Sequence, residues 1–88
     1  MEKMYYLVDK NRKNIVMDEY YSCLRYEDGY QTTFNSLDTA KGCVEWATKH
    51  NVINSDIEQP ISIVEIEIKT KNHIYYSEEK MKWSVGDD

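Results

Sequence analysis

The segment Phe34–Val52, FNSLDTAKGCVEWATKHNV, decides the reading of this 88-residue chain, because it alone is long enough and periodic enough to specify a helix. Stepping 100° per residue from Leu37, Leu37, Ala40, Cys43, Val44 and Ala47 gather on one side and Asp38, Lys41, Glu45 and Lys49 on the other. Ser36 is placed to cap an orphan amide, Asp38 puts negative charge in the first turn, and Lys49 and His50 put donors at the far end. Asn51 tolerates the left-handed conformation that stops a helix. The spacing therefore predicts a helix over about residues 36–51. Its inward residues Ala40, Cys43 and Ala47 are small, so its axis can lie close to a sheet. Trp46 falls about 120° from the centre of the apolar stripe. It either folds over the rim of the core or stands partly exposed as a partner contact.

Everything outside that segment reads as strand or turn. Met4–Asp9 alternates Met4, Tyr6 and Val8 against Tyr5 and Leu7, and the polar run Lys10–Asn14 turns it into Ile15, Val16 and Met17. Asp18-Glu19 marks a bulge or bend before an aromatic-rich strand from Tyr20 to Tyr26. Glu27-Asp28-Gly29 is a hairpin turn, with Tyr30–Phe34 returning as the next strand. After the helix, Ile53–Gln59 is irregular and Pro60 introduces Ile61–Lys69. There Val64, Ile66 and Ile68 share one face and Glu65, Glu67 and Lys69 the other, which predicts one dry side facing the helix. Thr70–His73 reads as a turn and Ile74–Tyr76 as the final strand. Met81 and Trp83 follow at strand spacing, and the last few residues are expected to fray. The expected architecture is one α+β domain spanning 1–88, a mostly antiparallel sheet of about five strands with the helix on one face. Val44, Val8 and Ile66 are expected to meet beneath it.

Composition narrows the function. Eleven basic against sixteen acidic side chains give a net charge of −5, unfavourable for binding nucleic acid or anionic lipid, so a basic protein is the expected partner. The N-terminus carries no signal-peptide pattern, and no apolar run approaches the ~20 residues of a membrane span, so a cytoplasmic location is expected. Cys23 and Cys43 lack metal-ligand spacing and read as reduced thiols; no metal or cofactor is expected. A nucleophile needs a base and an orienting group, yet His50 and His73 fall at a predicted helix end and turn. The adjacent acids Asp18-Glu19, Glu27-Asp28, Glu78-Glu79 and Asp87-Asp88 read as solvated turn charges, and the three glycines form no phosphate loop. The chain is therefore expected not to be an enzyme.

Tyrosine stands out. Eight of them include the pairs Tyr5-Tyr6, Tyr20-Tyr21 and Tyr75-Tyr76, and in a strand one ring of each pair must point away from the helix. With Val8, Ser22 and Leu24, and Ile74 setting the inward registers, the outward rings are Tyr5, Tyr21 and Tyr75, beside Arg25, Glu65 and Glu67. Together with Asp18, Glu19 and Trp46 they make up the predicted binding surface. Large rings with few rotatable bonds and a rim hydroxyl suit such a face. The alternatives are a wet sheet face that merely tolerates tyrosine, or one buried in a homodimer.

The small size, the acidic balance, the Lys, Asn, Ile and Tyr-rich make-up, and the order of strands, then FNSLDTAK helix, then ISIVEIEI strand resemble small phage-encoded anti-defence proteins, including anti-CRISPR inhibitors. The likeness is one of layout and carries no functional residue across. It implies a non-enzymatic inhibitor that occupies a basic surface of a bacterial defence nuclease, with carboxylates standing in for phosphates and tyrosine faces for bases. Two rivals are a sponge for a small signalling nucleotide, drawing on Arg25, Lys69, Lys71 and nearby tyrosines, and a structural homodimer.

Overall fold

The computed structural model describes residues 3–67 and 71–87. In chain order these form β1 (Met4–Val8), β2 (Asn14–Asp18), β3 (Cys23–Arg25), β4 (Thr33–Phe34), α1 (Leu37–Lys49), β5 (Ser62–Ile66), β6 (Lys71–Ser77) and β7 (Lys82–Asp87). The architecture is α+β, with one helix on an antiparallel sheet of order β3-β2-β1-β5-β6-β7, β4 pairing with β1 off that path. The sheet has seven strands rather than about five, because β4 is a two-residue piece and Lys82–Asp87 adds a strand beyond Ile74–Tyr76. The helix follows its sequence signals closely. The Ser36 hydroxyl accepts the Thr39 amide at 3.1 Å, and Asn51 takes a φ of 54° just past the His50 cap. No described helix is long and apolar enough to cross a membrane.

The largest departure from expectation is the parity of the sheet. The helix residues Ala40, Val44 and Ala47 pack with Tyr5, Leu7, Ile15, Leu24, Ile61, Ile63, Ile74 and Tyr76. In β1 the inward residues are thus Tyr5 and Leu7, opposite Glu65 and Ile63 of β5. Val8, Val64 and Ile66 face the other way, so the predicted meeting of Val44, Val8 and Ile66 does not occur. Ile66 is 38% exposed, whereas Ile63 is sealed. A 13-residue helix is only about 20 Å long. It covers Ile61 and Ile63 and leaves the far end of β5 overhanging. Ile68 and Lys69 lie outside the described residues.

The second face is dry at its centre without a helix. Val8, Val16, Ser62, Val64 and His73 are all buried there. Tyr6 and Tyr75 share this face and are half-buried. The His73 ring lies 5.8 Å from that of Tyr75 and meets the Arg12 guanidinium, which reaches back from the β1–β2 turn. His73 is accordingly a buried strand residue, not the solvated turn residue that its neighbours in sequence suggested. Two further expectations change. Residues 19–22 form a turn, so Tyr20 and Tyr21 lie outside β3. The Gly29 turn forms, with a positive φ of 80°, but closes no hairpin, since β4 pairs with β1 through Tyr5↔Phe34. The Met17 amide donates to Thr32 Oγ1 at 2.9 Å where β2 has left β1.

One buried carboxylate ties the loops to this frame. Asp9 Oδ1 accepts the amides of Asn11 and Lys13 at 2.8 and 2.9 Å, and Oδ2 accepts the Tyr26 hydroxyl. That hydroxyl also takes the Glu58 amide at 3.1 Å. Burial pushes the Asp9 pKa up, but the Tyr26 hydroxyl, the two amides and the Lys13 charge outweigh it and hold the group below its ordinary value. A carboxyl depressed in the folded state stabilises the fold above its unfolded pKa and loses that contribution as pH falls through the folded value. The melting temperature should therefore drop as pH is taken below about 4, and Asp9→Asn should flatten that slope. Parity has its own check. Val44→Asp or Ile63→Asp should unfold a domain whose total stability is on the order of 5–10 kcal/mol, while Ile66→Asp should cost no more than about 1 kcal/mol in a denaturant melt.

Candidate protein-binding surface

The sequence Asp18-Glu19-Tyr20-Tyr21-Ser22 folds as it does because a strand-end aspartate can bond the amides two and three residues ahead. Asp18 Oδ1 accepts Tyr20 N–H at 2.9 Å and Tyr21 N–H at 3.1 Å. Ser22 then takes a φ of 52° to re-enter β3. Asp18 Oδ2 accepts Arg25 Nε at 2.7 Å, and the same guanidinium reaches Glu27 Oε2 at 3.1 Å and the Tyr26 carbonyl at 3.3 Å. The Tyr21 amide and Arg25 hold the Asp18 carboxyl below its usual range, and the bond to Asp18 raises Arg25 in turn. The turn backbone is pinned by a charge that stays ionised at neutral pH.

Its side chains are the opposite of buried. Tyr20 is 87% and Tyr21 72% exposed, their rings edge to face with centroids 4.8 Å apart. Tyr30 is exposed nearby, at the lip of a shallow groove of about 350 Å³ lined also by Val16, Asp18, Arg25, Glu27 and Thr32. Residues 18–30 carry Asp18, Glu19, Glu27 and Asp28 against Arg25 alone, so this end of the molecule is acidic as well as aromatic.

The surface expected from sequence is dispersed. Asp18, Glu19 and Tyr21 come together at the turn. Tyr5 does not join them: it is 6% exposed beneath the helix, hydrogen-bonded to Glu65, its pKa raised first by burial and then by that carboxylate. Glu65 and Glu67 stand on the helix side at the sheet's overhanging end, where Lys3 lies 3.8 and 3.9 Å from them. Tyr75 is half-buried on the opposite face against His73. Trp46 projects from the outer flank of the helix, partly exposed, its ring 4.6 Å from that of His50. These placements follow from the parity of β1 and β5. Tyr20 and Tyr30 were absent from the expected set, although the acid-led run Asp18-Glu19-Tyr20-Tyr21-Ser22 was itself a turn signal that would have exposed both adjacent rings.

For a phosphate-bearing ligand the groups are poorly arranged. Arg25 is engaged by two carboxylates, Lys69 lies outside the described residues, and a groove of about 660 Å³ between Pro60 and the β6–β7 turn is lined by Glu78 and Glu79 and by no described basic residue. No protein-family model, no curated protein sequence and no solved structure matches this chain.

The pinned turn has a measurable consequence. Asp18→Ala should leave the domain folded, because this part-buried ion pair and cap serve the turn and not the core. The amides of Tyr20 and Tyr21 should nevertheless exchange with deuterium markedly faster in the variant, as read by NMR.

Proposed function

We propose that this chain is a non-enzymatic binding protein that docks the tip of its β2–β3 turn onto a basic surface of another protein. The observation that carries this reading is the exposed Tyr20–Tyr21 pair, held on a backbone that Asp18 fixes in an acidic setting. Two adjacent aromatic rings in solvent contribute nothing to the packing of this domain. Against a partner they supply large apolar area with few rotors to freeze, on a turn already ordered before contact. Glu19, Glu27 and Asp28 around them favour a positively charged partner and raise its association rate. The acidic balance and the resemblance of layout to phage anti-defence proteins support a nucleic-acid-handling bacterial defence protein as that partner, the carboxylates occupying positions that phosphates would take.

The test starts from capture on the immobilised chain of proteins from a bacterial lysate, identified by mass spectrometry, and proceeds with the purified partner. The triple variant Tyr20→Ser, Tyr21→Ser, Tyr30→Ser should melt like the parent yet bind at least about a hundredfold more weakly, in line with aromatic anchors worth ~2.7 kcal/mol or more together. Glu19→Lys with Glu27→Lys should slow association most at low ionic strength, and excess nucleic acid should compete with the parent for the partner. Undiminished binding by the tyrosine variant would place the contact elsewhere.

A further inference from the structure

The two flanks of the sheet are finished differently. On the β3 side, Leu24 donates its amide to the Val52 carbonyl and accepts the Asn54 amide, both at 2.9 Å, so the post-helix segment closes that edge through a parallel bridge to Ile53. On the other flank β7 pairs with β6 alone among the described residues. The hydrogen-bond phase of β7 follows from β6. Tyr76 N–H donates to the Ile61 carbonyl, so Tyr76 bonds toward β5 and Tyr75 toward β7, where it faces Ser84. Ser84 therefore points its backbone groups at β6, and Trp83 and Val85 point theirs outward. An outward row of amides and carbonyls is a template for another strand. Val85 is 74% exposed on this edge although its neighbour Ile74 is buried, and Met81 is exposed at the strand's entry.

We propose that β7 pairs antiparallel with β7 of a second copy of this chain, with Val85 at the two-fold axis. The choice of occupant rests on charge and phase. The run Lys80–Asp88, KMKWSVGDD, begins with lysines and ends in aspartates. Antiparallel pairing about Val85 sets Trp83 of each strand opposite Asp87 of the other and brings Lys82 to that acidic end, whereas parallel pairing would stack like on like. A two-fold normal to the sheet sets Val85 opposite Val85 of the second copy. Both then present outward N–H and C=O groups, and the two exchange a pair of hydrogen bonds. The same axis keeps both helices on one side of a continuous sheet. There the two exposed valines meet on the face that also carries Trp83, itself anchored by a 2.7 Å bond from its indole N–H to Glu45. The interface lies on the opposite flank of the sheet from the β2–β3 turn and leaves that turn free.

Sedimentation velocity over about a hundredfold range of concentration reads this directly. The parent chain should pass from monomer to dimer. Val85→Pro removes an N–H that faces away from β6, so it should keep the parent's circular dichroism and remain monomeric throughout. Should that variant fold poorly, Lys82→Glu, on an exposed side chain that the pairing brings to the partner's acidic end in both copies, should raise the dissociation constant at least about tenfold at low salt and less at high salt. A parent that stays monomeric at every concentration, or a folded Val85→Pro chain that still dimerises, overturns the proposal.

Discussion

The structure depends on β1 being paired on both sides, by β5 along Met4–Val8 on one flank and by β2 and then β4 over Tyr5–Val8 on the other. Both faces of that strand are also dry towards its β2 end. Leu7 is sealed beneath the helix while Val8, the next residue, is 2% exposed on the reverse. Only one of these faces has a helix to cover it. The other is closed by long side chains of its own, with Arg12 drawn back over His73, and by the half-buried rings of Tyr6 and Tyr75. Such a cover is thin. It seals the central valines but not the end of β5, where Ile66 remains in contact with water.

Asp9 completes this arrangement at the end where β1 leaves the sheet. Its carboxylate organises the β1–β2 turn through two amides, and through Tyr26 it reaches the chain leaving β3 and the loop before β5. A buried charge normally carries a heavy desolvation penalty. Here the donors around it outweigh that penalty, and three segments distant in sequence are fixed relative to one another. Lys13 adds to the same junction with its ammonium 4.3 Å from the Tyr26 ring centre. The loops that carry little secondary structure of their own are thereby held by a polar centre, not by the apolar core.

The surface left by this frame is uneven in a way that bears on function. Tyrosines that fall on strands are absorbed: Tyr5 and Tyr76 enter the core, and Tyr6 and Tyr75 lie down on the second face. Of those in turns and loops, Tyr26 is held half-buried by Asp9, while Tyr20, Tyr21 and Tyr30 remain outside in a neighbourhood of carboxylates. The sheet edges divide likewise. One is sealed by backbone bonds to Leu24, and the other exposes Val85 with its backbone directed outward.

By itself the sequence determined the helix and its caps, since 3.6-residue periodicity, a Ser36 hydroxyl and a left-handed Asn51 are properties of adjacent residues. It also marked the turn at Gly29, the mostly antiparallel α+β class and a break in the strand at Asp18-Glu19, though not the turn through Ser22. The face each strand turns to the helix was decided by tertiary structure. Met4-Tyr5-Tyr6-Leu7-Val8 is bulky at every position, and Ile61 to Ile66 carries apolar residues in both phases, so alternation allowed either parity. What chose between them was coverage: one short helix sits over Ile61 and Ile63, and the carboxylates of Glu65 and Glu67 lie past its reach beside Lys3. The predicted binding surface inherited that choice. Tyr5 went inward with its strand, whereas Tyr21, Asp18 and Glu19 stayed together because a local Asx turn places them whatever the parity of the sheet. The pairing of β4 with β1, and the burial of His73 under Arg12, depended on residues brought together from far apart in the chain, and no local pattern encodes such contacts.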